Sequence, residues 1–223
     1  MLRRFAVAWG YLAGLIAGCL VYRQLTAPAQ AAFTTWASTS VVNLEHEPVG
    51  PLVVSAFIAP GYLLLWPLLA ALALFGANRA LGNVRTLLVC VAGQVIGSLV
   101  SEGIVGYRVD AGQLPVADRH LVDIGPSYVV VSAIVIALIC GTWLARVLAA
   151  ADFAILVFGG QIFSGLSHLE VSAVGHLTAM LTAAAATATI QARSRRRTSS
   201  DVTDADADQV RDPGGAGPEY QLP

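Results

Sequence analysis

Two residues in this chain combine types that do chemistry together with positions that could bring them to one level. Ser127 lies in Asp123-Ile124-Gly125-Pro126-Ser127-Tyr128, and His176 in Gly175-His176-Leu177-Thr178-Ala179. Each sits at the edge of, or inside, a long apolar stretch, where a polar side chain is costly and therefore a functional candidate by default. A hydroxyl beside an imidazole is a nucleophile beside its base. The imidazole takes the serine proton as the oxygen attacks a carbonyl, then returns it to the leaving amine. A second reading stands next to this one: Asp123 or Ser127 caps a helix whose first turn holds Pro126, and His176 bonds a neighbouring helix.

The remaining polar residues support other chemistries less well. Glu102 and Asp152 fall near the ends of apolar stretches and are expected at the interface. Tyr62, Trp66, Tyr128 and Trp143 are expected as packing or membrane-belt residues. His46, His120 and His168 follow no ligand spacing, and His46-Glu47-Pro48 lacks the second histidine of a helical zinc motif. No two aspartates face each other at one depth, as an aspartyl mechanism needs. The Gly-x-Ser-x-Gly elbow fails because position 129 is Val. The expected cofactor and metal content is none.

The elements that must position Ser127 and His176 follow from composition. Of 223 residues 56% are hydrophobic and 12% charged, with a mean hydropathy of +0.69. That is a membrane composition, and the lipid bilayer is the first partner it implies. Spanning the bilayer takes roughly 20 apolar residues as helix. Six stretches qualify: 5–22, 52–77, 86–106, 127–145, 147–165 and 171–190. The prediction is an all-α, polytopic protein with six transmembrane helices. Arg3 and Arg4, Arg79 and Arg85, Arg146, and the run from Arg193 to Arg197 alternate with loops poorer in arginine, which places both termini in the cytoplasm. Spans four and six then run in the same direction, so Ser127 and His176 share the outer leaflet.

Residues 191–223 hold 11 of the 27 charges and no apolar periodicity. They are expected to form a disordered cytoplasmic tail behind a membrane domain of residues 1–190. Residues 23–50 are too long for a turn and read as an interfacial loop or short surface helices, with Trp36 at headgroup level. The first stretch and Ala27-Pro28-Ala29-Gln30-Ala31 also match a cleavable signal peptide. Gly10, Gly14 and Gly18, at four-residue spacing, argue instead for a retained helix that another can approach closely. A net charge of −1 speaks against nucleic-acid binding. Cys19, Cys90 and Cys140 lie in apolar runs and read as core residues. Nothing in the residues fixes an oligomeric state.

Gly125-Pro126-Ser127 opening span four and Gly175-His176 in span six lie 49 residues apart from Ser to His. With Val54-Ser55-Ala56-Phe57, Phe75-Gly76 and Gly82-Asn83-Val84-Arg85, they resemble the rhomboid superfamily over residues 5–190. The resemblance implies a six-span bundle and an intramembrane serine protease acting on transmembrane or juxtamembrane protein substrates. Ser127 would be its nucleophile and His176 its general base. It also implies oxyanion donors in span two, yet an ungapped reading from Phe75-Gly76 puts Leu64 and Leu68 there. Tyr128 stands where the family has glycine after the nucleophile. A catalytically inactive pseudoprotease that binds other transmembrane helices is the alternative.

Overall fold

The structure is a computed structural model that describes residues 2–61 and 64–211, with side chains from Arg3 to Arg196. Every regular element among the described residues is helical. Helix α1 (Ala6–Gln24) follows a 3-10 turn at Leu2–Phe5. A Cβ on Gly14 would stand 2.9 Å from the Phe57 ring, and one on Gly18 would run into the Phe57 carbonyl oxygen, whereas Gly10 faces open space. Two of the three glycines in the row therefore admit a close neighbour. That neighbour is a single turn around Phe57, not another long helix.

Residues 23–50 contribute α2 (Ala27–Ala37), α3 (Val41–His46) and the start of α4 (Val49–Val54). Trp36 is 44% exposed and meets Phe33 at a tilt, with ring centroids 5.6 Å apart. The stretch 52–77, expected as one span, is two pieces. A 3-10 turn at Ser55–Phe57 prolongs α4, the chain turns at Pro60-Gly61, and α5 begins at Leu65 and ends at Leu81. Proline offers no N–H to a helix and Gly61 has a φ of +101°, so apolar composition alone could not carry a helix through this point. Tyr62 lies outside the described residues.

The rest of the chain comprises α6 (Asn83–Asp110), α7 (Ser127–Cys140), α8 (Trp143–Ala154) and α9 (Val171–Arg211). The expected fourth span stops at Gly141, where a Cβ would strike the Ala137 carbonyl. Thr142 Oγ1 then accepts the Ala145 N–H at 3.5 Å to open α8. A π turn at Ile155–Gly159 ends that helix. Three helices are long and apolar enough to cross a membrane, Arg3–Gln24, Asn83–Asp110 and Val171–Arg196, while Leu65–Leu81 and Ser127–Cys140 are apolar but shorter. The described residues thus hold three helices of crossing length instead of six.

Contacts divide the chain into Met1–Thr187 and Ala188–Pro223. The stretch expected to be disordered is helical as far as Arg211, and residues 212–223 lie outside the described ones. Within the first unit α7 is central and packs against α5, α6 and α8. Val130, Val131, Ala133, Ile134, Ile136 and Ala137 are all fully buried. A helix apolar on every side belongs in such an interior. At the far end of α5, Asn78 Nδ2 donates to the Arg4 carbonyl at 2.8 Å and Asn83 Nδ2 to the Arg3 carbonyl at 2.8 Å. These bonds fasten the start of α1 to the α5–α6 turn.

Candidate functional site

Ser127 is the first residue of α7, and Pro126 occupies the cap position with no side-chain cap hydrogen bond. Neither Asp123 nor Ser127 caps the helix, so that expectation is corrected. Asp123 is engaged elsewhere. Its N–H donates to Ser38 Oγ at 2.9 Å, and its carbonyl accepts from the Thr39 N–H at 2.9 Å. Its carboxylate Oδ2 accepts from Tyr128 Oη at 2.8 Å and from Thr39 Oγ1 at 3.3 Å. The segment before α7 is therefore laced to the Ser38-Thr39 link between α2 and α3.

His176 is 3% exposed, on α9. Its Nδ1 shares a hydrogen bond with Ser172 Oγ at 3.3 Å, one turn earlier on the same helix. Nε2 has no hydrogen-bond partner among the described residues. The ring that meets the imidazole is Tyr128, edge-on, with centroids 5.1 Å apart and planes at 84°. A Cβ on Gly175 would overlap the Tyr128 phenol, so this glycine makes room for the tyrosine.

Adjacent residues on a helix point about 100° apart, and Tyr128 takes the face of α7 toward α9. Ser127 borders a narrow hollow that Tyr128 also lines, shared with Thr39, Ser55, Gln94, Asp123 and Gly125. Among the described residues no hydrogen bond joins Ser127 to His176. Leu64 and Leu68 are 81% and 56% exposed.

Several polar residues here were not assigned a role from sequence. Gln94 is buried, with Nε2 donating to Ser55 Oγ at 3.2 Å and Oε1 unpartnered. Glu102 and Asp152, expected at the interface, are 2% and 0% exposed. The readable signal was the spacing of Gln94, Ser98, Ser101 and Glu102, one helical stripe of polar side chains inside an apolar run. All four are buried.

Burial holds the Asp123 carboxyl above the usual carboxylate range, opposed by the hydrogen bonds from Tyr128 and Thr39. The unfolded chain then gives up this proton at lower pH than the folded one does. The contribution of Asp123 to stability is full below about pH 4 and is lost as pH rises through the folded pKa. Asp123→Asn is expected to remove that part of the slope in thermal unfolding measured from acid to neutral pH. Parallel parent and variant curves would show that another group titrates.

A model of the rhomboid-like protein family matches residues 1–196. No curated protein matches the chain, and no solved structure does.

Proposed function

Since the chain belongs to the rhomboid-like family, we propose that it is a catalytically silent member that holds other transmembrane helices. The observation that carries this reading is Tyr128, whose ring lies against the only imidazole within the apolar stretches. A base can take a proton only from a group within hydrogen-bond reach, and His176 bonds Ser172 on its own helix. The exposed Leu64 and Leu68 add to it, because they can donate nothing to a developing oxyanion. Losing one such donor costs a serine hydrolase on the order of 100- to 1,000-fold in rate.

A second reading, an intramembrane serine protease with Ser127 as nucleophile and His176 as base, draws support from one observation. Nε2 of His176 has no partner among the described residues, and rotation of Tyr128 would open a path to it. A serine-directed phosphonate separates the readings. The silent member is expected to remain unlabelled when folded, in the parent and in a Leu64→His, Leu68→Asn variant. Labelling at Ser127 that disappears in His176→Ala would establish the protease.

Six spans with both termini in the cytoplasm belong to the same proposal, with α5, α7 and the α8 region crossing as short helices among the longer ones. The Arg distribution supports it. C-terminal reporter fusions are expected to be active only on the cytoplasmic side, and activity outside would overturn the topology. Truncation after Thr198 is expected to leave thermal stability in detergent unchanged.

A further inference from the structure

One face of α6 carries Leu99, Glu102, Gly103, Gly106, Tyr107 and Asp110, positions three or four residues apart that form a single stripe. This stripe floors an open cavity of about 360 Å³, walled by Val41 and Leu44 of α3 and with Glu45, Asp110 and Arg119 at its mouth. Gly103 has no neighbour that a Cβ would meet, which leaves the middle of the floor free. Glu102 lies at the base, 2% exposed, and neither carboxylate oxygen has a hydrogen-bond partner among the described residues.

The charges around this cavity are not equivalent. Arg119 pairs with Glu45 at 3.0 Å and Asp110 at 2.8 Å, which engages both acids of the mouth. Asp123, half-buried, is held by Tyr128 and Thr39. Glu102 is left as the acid without a side-chain donor, with only the Val41 backbone N–H near its carboxyl, and a buried carboxylate is tolerated when a cation or donors reach it. Exposed Leu99 (49%) and Tyr107 (71%) offer apolar surface along the approach. An ammonium or guanidinium on an aliphatic stem matches that sequence of surfaces, with the stem along Leu99 and Gly103 and the head toward Glu102, whose buried oxygens turn into the cavity to meet it.

We propose that this cavity binds an alkylammonium or guanidinium group, with Glu102 as its counter-charge and the Arg119 bridges as its rim. Resting on the helix-holding reading above, the source of that group is a Lys or Arg side chain at the outer flank of a partner's transmembrane helix.

The test uses the full chain in phosphatidylcholine nanodiscs. Thermal unfolding is followed with n-butylammonium and, at equal ionic strength, with tetramethylammonium, which has no N–H. The expected result is a saturable rise in midpoint with butylammonium alone, its apparent affinity reduced at least tenfold in Glu102→Gln. Gly103→Leu, which fills the groove without touching the carboxylate, is expected to lose the response too. Asp152→Asn, a change at another buried acid, should keep it. Equal responses to the two cations, or a response unchanged in both Glu102→Gln and Gly103→Leu, would overturn the proposal.

Single-span peptides carrying Lys or Gln at the outer flank then identify the source. Association favoured at least fivefold by Lys, and lost in Gly103→Leu, supports the helix-borne group. Association indifferent to Lys overturns that source, and with the butylammonium response retained it makes the ligand a free amine. Peptides that do not associate at all defeat the helix-holding reading while the butylammonium arm still decides the cavity.

Discussion

Gly175→Ala is expected to lower the stability of the folded chain by about 2–4 kcal/mol, from overpacking and a weakened buried hydrogen bond together. The new methyl would occupy the space of the Tyr128 phenol, and Tyr128, 3% exposed, has little room to retreat. Moving the ring withdraws Oη from Asp123, 2.8 Å away, and leaves that half-buried carboxylate to Thr39. It also breaks the edge contact with His176. Thermal unfolding in detergent reads the loss. Because the clash is between these two residues, Gly175→Ala combined with Tyr128→Val should cost less than the sum of the single changes. Additive losses, or an unchanged midpoint in Gly175→Ala, would mean that Tyr128 does not occupy this place.

Asp152→Leu is expected to act in the opposite direction. Asp152 is fully buried in α8, and both carboxylate oxygens lack a partner among the described residues. Replacing an unsatisfied buried acid by an apolar group with the same branched skeleton removes a desolvation penalty that exceeds the cost of seating its bulkier methyls. A gain of about 1–3 kcal/mol follows. The same unfolding measurement checks it, with Asp152→Asn expected to gain less because the amide remains polar. A fall in stability with Leu would show that the carboxyl is bonded in the working protein.

The two signs illustrate what hydropathy can and cannot report. Apolar composition located every long helix, since a stretch that cannot be solvated must be buried or placed in lipid. It is blind to backbone interruptions inside such a stretch, so hydropathy alone runs 52–77 through Pro60-Gly61 and 127–145 through Gly141. It also misjudged depth. Glu102 looks interfacial if α6 ends at Gly106, but the helix continues to Asp110, which puts Glu102 eight residues, roughly 12 Å, below that end. The continuation is Tyr107, Arg108, Val109 and Asp110, in which the buried Val109 alone is apolar, too little to extend an apolar run.

The candidate pair was legible in a limited sense. Ser127 does open a helix and His176 is buried, as their settings imply. What the residue string did not disclose is which neighbour turns toward the imidazole, because that depends on the rotation of α7 about its axis. The rotation is set by contacts remote in sequence: Ser38 and Thr39 gripping Asp123, and Gly175 admitting Tyr128. The hydrogen bonds of Asn78 and Asn83 to the first arginines were hidden for the same reason.

The shortness of α7 bears on hydration. Its 14 residues reach about 21 Å, some 9 Å less than a hydrocarbon layer of about 30 Å. Surrounded by other helices, α7 cannot recruit lipid headgroups to make up the difference. As one of the crossing helices proposed above, α7 would have recessed ends, and the depth beyond Ser127 would fall to the 121–126 segment, whose backbone carbonyls and amides need partners that a lipid chain cannot provide. Water drawn down to those groups would stand at the level of Thr39 and Asp123, well beneath the surrounding membrane surface. The effective dielectric there would be that of a wet crevice instead of a bilayer interior.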